Sequence, residues 1–212
     1  METCIIFCAG DFEALAEPIG PQDYVIAADG GLLHLNRLGL QPDAIIGDFD
    51  SLGHVPEGGL VHPVEKDDTD SMLAVRLGLE KGLRRFVLYG AMGGSRLDHT
   101  IANLQTLQFL ANRGAVAHLA GADVIATVIR NGSAAFPAGA EGIVSVFCMG
   151  ADAEGVDIQG LQYPLENGSL TTGHPLGVSN HFVGNPSKIS VNSGSLLIIS
   201  PTEVGFPEVT IC

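Results

Sequence analysis

Asp48 and Asp50 stand two residues apart in the stretch Gly47-Asp48-Phe49-Asp50-Ser51, and Asp67, Asp68 and Asp70 crowd into residues 67–70. In an extended segment that spacing of two places both carboxylates on one side. Like charges held close are costly unless a cation lies between them. Mg2+ suits the need, because it is held by one or two carboxylates together with substrate phosphates and keeps several waters. Asp48, Asp50 and Asp70 are therefore the predicted metal ligands. A turn or a helix cap accounts for any single aspartate, but poorly for several clusters at successive strand ends. The acids at 67–70 also exceed what capping the following helix needs.

Other residues offer contacts to a polyphosphate. Asp29, in the run Ala28-Asp29-Gly30-Gly31, ends an apolar strand and serves either behind the metal or on a nucleotide. Thr69 is either a donor to a phosphate oxygen or the capping hydroxyl of a helix. The glycine-rich run 90–95, with Gly93 and Gly94, can bring backbone N–H groups up to a phosphate at a helix start. It lacks the Gly-Lys-Ser/Thr of a P-loop and the glycine spacing of a dinucleotide fingerprint. Arg96 follows it, and a guanidinium grips phosphate bidentately; the plainer alternative is a surface pair with Asp98. His99 is a phosphate contact or a packing residue in the first turn of a helix.

These groups need a frame. Residues 4–9, 24–28, 44–46 and 86–89 are continuous apolar runs, each closed by a glycine or an aspartate. Between them, 32–38, 70–81 and 98–113 carry helical spacing, with Leu73, Leu77 and Lys81 aligned in the second and Ile101, Leu104, Leu107 and Leu110 in the third. Gly39, Gly82 and Gly114 mark their ends. Continuous apolar strands alternating with helices predict an α/β domain with a mostly parallel sheet and helices on both faces. In such a sheet ligands gather beyond the carboxyl ends of the strands, where the polar clusters fall. From about residue 124 helix signals vanish, and short Val- and Ile-rich runs recur between Gly, Asn and Pro. That predicts a small all-β sandwich or barrel, with a hairpin turn at Asn192-Ser193-Gly194. The predicted domains are 1–125 and 126–212.

With 212 residues and 46% hydrophobic content the chain can bury a core. No apolar run approaches the ~20 residues of a membrane helix, and the first residues carry no basic leader. Four cysteines without a CxxC pair predict free thiols in a reducing cytoplasm. The net charge of −14 argues against nucleic acid as a partner, while leaving a metal-bridged nucleotide as a substrate.

Taken in order, ADGG at 28–31, PDAIIGDFDS at 42–51, KDDTD at 66–70, GAMGGSRLDH at 90–99 and GVSN at 177–180 resemble the thiamine pyrophosphokinase family. The resemblance implies an α/β domain that binds ATP and Mg2+, and a β domain that contributes to a thiamine site. It also implies a homodimer with active sites in a cleft between subunits. Asp29, Asp48, Asp50, Thr69, Asp70, Arg96 and Asp98 match the family's catalytic and phosphate-binding positions, and Ser179 and Asn180 match its thiamine-binding segment. Lys66 stands where a glutamine-like residue is expected. The chain has no Trp, so an aromatic stacked on thiamine must be Phe, Tyr or His; Phe182 and His181 are nearest to Asn180. The implied reaction is attack of the thiamine hydroxyl on the β-phosphorus of ATP, with AMP leaving. Asp98 or a carboxylate beside the metal would take the hydroxyl proton. The rival readings are a metal-dependent phosphohydrolase, and a module that binds thiamine or a nucleotide without catalysis.

Overall fold

The computed structural model describes residues 2–47, 60–61 and 68–211, so Asp48, Asp50, Lys66 and Asp67 lie outside the described residues. Among the described residues the strands sort into a ten-stranded mixed sheet and a five-stranded antiparallel one. The chain divides into two compact units, Met1–Thr106 with Leu119–Ala122, and Leu107–His118 with Asp123–Cys212.

The first unit alternates strand and helix. Its elements are β1 (Cys4–Phe7), β2 (Tyr24–Ala28), α1 (Leu32–Leu38), β3 (Ala44–Gly47), β4 (Leu60–Val61), α2 (Asp70–Glu80) and β5 (Arg85–Tyr89). Helix α3 (Leu97–Ala111) and strand β6 (Val116–Ala120) straddle the division between the units. The strands lie in the order β5-β1-β2-β3-β4, and each of these pairings is parallel. All four residues of β1 are buried, as a strand with neighbours on both edges and helices against the sheet requires. The predicted glycine stops hold. Gly39, Gly82 and Gly114 adopt φ of 68°, 85° and 67°, the left-handed conformation that closes a helix without a Cβ penalty.

The predicted helix faces need correction. In α2 the buried side chains are Ser71, Ala74, Val75 and Gly78, while Leu73 and Leu77 are half-buried. The reason is distance: a Cβ on Gly78 would come within 2.6 Å of the Phe86 ring and 2.8 Å of the Cys4 thiol. The helix approaches the sheet on its small-residue face, and the leucines fall to the sides. In α3 Leu107 and Leu110 are buried as expected, but Ile101 is 52% exposed, and Asn103 and Thr106 are buried in its stead. These polar groups are tolerated because each is paired: Asn103 donates to Ala91 O at 2.8 Å and Thr106 to Ala102 O at 3.0 Å.

The second unit is antiparallel. It contains β7 (Val124–Arg130), β8 (Gly132–Phe136), β9 (Ile143–Cys148), β10 (Ala153–Gln159), β11 (Leu165–Leu170), β12 (Gly177–His181), β13 (Ser187–Ser193), β14 (Ser195–Pro201) and β15 (Glu208–Ile211). One set runs β12-β9-β14-β7, the other β11-β10-β13-β8-β15. Their inward residues, among them Phe136, Val144, Val156, Phe182, Ile189 and Ile198, form one apolar cluster. The predicted hairpin at 192–194 is not one. β13 pairs with β10 and β8, whereas β14 pairs with β7 and β9, so the chain changes sheets there. It changes sheets again between β7 and β8 at Asn131. The two corners hold each other: Asn131 N donates to Gly194 O at 3.1 Å, and Gly194 N donates to Asn131 Oδ1 at 3.0 Å. No described helix is long and apolar enough to cross a membrane.

One glycine tests the first unit's packing. A Cβ on Gly31 would stand 1.9 Å from Phe7 O, backbone that cannot swing aside. Gly31→Ala should lower stability by roughly 1–3 kcal/mol or more, read as a fall of several degrees in the thermal midpoint. Gly173→Ala, with nothing within 4 Å of the added methyl, should leave the midpoint in place.

Candidate active site

Beyond the carboxyl ends of β1, β2 and β5 the first unit opens into a cleft of about 560 Å³. Three stretches distant in sequence form its walls: residues 8–11 after β1, Ala28 and Asp29 at the end of β2, and residues of the run from Gly90 to Arg96 after β5. The start of α2, with Thr69, Asp70 and Ser71, supplies another wall. Of the predicted residues, Asp29, Thr69, Asp70, Gly93, Gly94, Arg96 and His99 meet here.

Asp29 opens a short 3-10 turn with φ of 47°, a left-handed conformation that few residues besides Gly, Asn and Asp adopt. Gly47 makes room for it, since a Cβ there would lie 3.1 Å from Asp29 Cα. Asp29 is 7% exposed, and its Oδ1 has no hydrogen-bond partner among the described residues. A buried carboxylate oxygen left unpaired is costly, and a ligand at the cleft wall would relieve that cost. Asp70 is the first residue of α2, so the positive end of the helix dipole supports its charge. Its field reaches the neighbouring thiol: burial first, and the Asp70 carboxylate second, push Cys8 up to about 12. Cys8 is therefore a packing group and no nucleophile. Asp68, the other described acid of that stretch, binds Arg76 Nε at 2.7 Å.

Arg96 and Asp98 form a two-pronged pair on the surface. Nε donates to Oδ1 at 2.9 Å and Nη2 to Oδ2 at 2.6 Å, with both side chains about two-thirds exposed. This hydrogen-bonded guanidinium holds the Asp98 carboxyl down to about 2. A carboxylate with so depressed a pKa accepts a proton poorly, so while the pair lasts Asp98 acts as a holder of Arg96. Gly93 and Gly94 take φ of 83° and 75°. The Asp11 carboxylate lies against them, 3.2 Å from where a Cβ on Gly93 would be. Thr69 caps α2, its Oγ1 accepting from Met72 N at 3.3 Å. His99 lies in the first turn of α3 and is exposed.

Sequence reasoning missed Asp11, Ser71 and Asn103. Asp11 follows Gly10 just beyond β1, so the strand-end rule that found Asp29 applies to it equally. Ser71 and Asn103 carried a fainter signal, as polar residues interrupting the buried faces of two helices. Among the described residues no set of three or more His, Cys, Asp and Glu is grouped to hold an ion. Two of the three predicted ligands, Asp48 and Asp50, lie outside the described residues.

Ser179 and Asn180 sit on β12 in the second unit. Ser179 is exposed with φ of 60°, and its N donates to Ser145 Oγ at 3.1 Å. Asn180 is buried, and its amide makes three hydrogen bonds. Oδ1 accepts from Tyr163 N at 3.0 Å and His181 N at 2.9 Å, and Nδ2 donates to Tyr163 O at 2.7 Å. It fixes Tyr163, which is 60% exposed beside an apolar groove of about 190 Å³. Phe182 does not qualify as an aromatic platform: it is 6% exposed and packs edge-on against Phe136 in the core. It directly follows β12 and bridges to Leu161.

The pair of Arg96 and Asp98 gives a direct test. The folded-state pKa of Asp98 lies below its unfolded value, so its contribution is present above the ordinary carboxylate range and fades as pH falls toward about 2. A carboxyl-detected NMR titration should place Asp98 near 2 in the native chain, and near its ordinary value of about 3.9 in Arg96→Ala. An equal titration in both would show that the pair does not form in solution.

Residues 15–117 match the family description "Thiamin pyrophosphokinase, catalytic domain", and residues 136–196 match "Thiamin pyrophosphokinase, vitamin B1 binding domain". The chain is 28% identical to the thiamine pyrophosphokinase of Bacillus subtilis over 194 residues, 84% of this chain and 87% of that protein. The crystal structure of the Bacillus subtilis protein superposes with a TM-score of 0.84 at 24% identity, covering 95% of this chain and 99% of that one. The thiamin pyrophosphokinase of Geobacillus thermodenitrificans gives 0.78 at 26% identity, covering 95% and 97%.

Proposed function

Because this chain belongs to the thiamine pyrophosphokinase family and makes thiamine diphosphate at the expense of ATP, we propose that the cleft beyond β1, β2 and β5 holds the ATP polyphosphate as its Mg2+ complex. One observation carries the reading. Asp29 presents a buried carboxylate oxygen with no partner among the described residues, in the same cleft as Asp70, with the glycine run and Arg96 opposite in chemistry. Buried carboxylate oxygens are the hard donors that suit Mg2+. Asp70, with Asp48 and Asp50 from the neighbouring segment, would hold the ion, and Asp29 would act behind them or on the nucleotide. When bound, the ion neutralises charge on the polyphosphate.

The remaining work belongs to the chain's own groups. The thiamine hydroxyl oxygen bonds to the β-phosphorus, the bond from that phosphorus to the α-phosphate oxygen breaks, and AMP leaves. Catalysis of such a transfer is mostly positioning and charge neutralisation. Arg96 exchanges its Asp98 partner for phosphate oxygens, a swap that costs little because the pair is exposed. N–H groups of the run containing Gly93 and Gly94 meet the same oxygens, with His99 at the margin and Thr69 in the wall as the cap of α2. A carboxylate near the reacting hydroxyl takes its proton; Asp98 can do so only once Arg96 has left it. Ser179 and Asn180 belong to the thiamine contact, Asn180 by holding Tyr163. Thiamine's cationic ring also suits an acidic protein. Helices on both faces of the parallel strands, from the alternation of strand and helix, a cytoplasmic location, from the free thiols, and a homodimer with sites between subunits, from the family resemblance, complete the reading.

Purified protein with ATP, Mg2+ and thiamine should yield AMP and thiamine diphosphate, and a sample without thiamine should yield no AMP. AMP released by water alone would establish a hydrolase. Asp50→Ala and Asp70→Asn should each lower turnover by roughly 10²-fold or more while circular dichroism stays native, and Arg96→Lys should lose a comparable factor because a point charge cannot replace the planar fork. Full activity in Asp50→Ala at saturating magnesium would remove it from the metal site.

A further inference from the structure

Asn103 is 6% exposed, and its side chain joins two walls of the cleft. Nδ2 donates to Ala91 O, in the run after β5, at 2.8 Å. Oδ1 accepts from Ser71 Oγ, in the first turn of α2, at 2.8 Å. Ser71 Oγ in turn lies 3.0 Å from Thr69 Oγ1, which caps α2 by accepting from Met72 N. Every proton in this chain of contacts can be assigned. A carbonyl oxygen only accepts, so the amide nitrogen of Asn103 must face Ala91 and its oxygen must face Ser71. The single Ser71 proton then goes to Asn103. The contact between Ser71 and Thr69 can form only if Thr69 donates. The Thr69 proton is therefore committed to Ser71 and is not offered to a ligand.

We propose that Asn103 is a positioning residue for the reaction. Through Ala91 it sets the glycine run, and through Ser71 it sets the start of α2, so that the phosphate-binding loop and the wall bearing Asp70 keep one separation. By the same link it makes Thr69 a cap rather than a phosphate donor. The inference rests on the reading that the polyphosphate lies between these walls. It goes further by naming what holds them in register. Loop and helix start are joined here by side chains, and a buried network with every member satisfied is rigid while one with a missing member is costly. The hydrogen bonds of the Asn103 amide run to Ala91 and Ser71, so its removal should act through these two walls, on the nucleotide side.

The test uses the full-length protein and the variants Asn103→Ala, Ser71→Ala and Ser71→Thr, with the double variant of Asn103→Ala and Ser71→Ala. Thermal midpoints establish folding, and kinetics are taken well below the lowest midpoint. Either alanine variant should lower kcat/KM for ATP about tenfold or more, by misplacing the groups that meet the polyphosphate, and leave KM for thiamine unchanged. The double variant should be no worse than the poorer single one, since both cut one link. Ser71→Thr, which keeps the hydroxyl, should restore most of the loss. Calorimetric affinity for Mg2+-ATP is measured alongside, so a native chain that binds ATP but does not pyrophosphorylate thiamine overturns the functional reading while Asn103 is still judged on affinity. Unchanged ATP constants in folded Asn103→Ala, or losses that add in the double variant, would overturn the positioning role.

Discussion

Gly10 N donates to Gly90 O at 2.9 Å, and Cys8 N to Tyr89 O at 2.8 Å, so the pairing of β1 with β5 runs on past the ends of both strands. Side chains would forbid this approach: a Cβ on Gly10 would lie 2.6 Å from Gly90 O, and one on Gly90 2.4 Å from Cys8 O. The two loops must therefore leave the sheet together. Asp11 and the run with Gly93 and Gly94 consequently face each other, and the cleft has a floor of backbone. Gly31 repeats the device on the other side, against Phe7 O. The parallel order of β5, β1, β2 and β3 then delivers the loop after each strand to the same edge.

That geometry concentrates acid. Asp11, Asp29 and Asp70 all line one cleft of a chain whose net charge is −14. Carboxylates gathered without cations repel one another, so the strand order that brings these loops to one edge does so against that cost. The described cation of the cleft rim, Arg96, rests on Asp98 in the meantime. An exposed bidentate pair of this kind adds little to stability, so the two side chains are held chiefly by each other. Cys8, buried next to Asp70, stays protonated and inert.

The second unit solves a different problem. Its two sets of strands are joined where the chain changes sheets, and Asn131 and Gly194 close these corners on each other. Asn180 plays a similar part at the groove: two hydrogen bonds of one buried amide hold the Tyr163 backbone and a third holds His181 N, so an exposed aromatic stands on a rigid base. A motif residue read as a ligand contact is here, in the geometry shown, the support for its neighbour.

Local chemistry was legible in the sequence. Apolar runs and glycine stops located the first unit's strands and helices, because burial on both faces demands continuous hydrophobicity and a helix end demands a left-handed residue. An aspartate at a strand end and one at a helix start pointed to Asp29 and Asp70 of the cleft wall, and the spacing of Arg96 and Asp98 already allowed the pair that forms. The short, polar strands β11, β12 and β15 carried no comparable signal, since an exposed sheet face needs few apolar residues. The hairpin at 192–194 and the buried faces of α2 and α3 were misread for one reason: turn residues and helical periodicity state what a segment can do alone, while partner strands and closest approach are set by residues far away. Likewise the proton order through Asn103, Ser71 and Thr69 exists only once α2, α3 and the loop after β5 meet, because a hydrogen bond's direction depends on which acceptor the fold brings into reach.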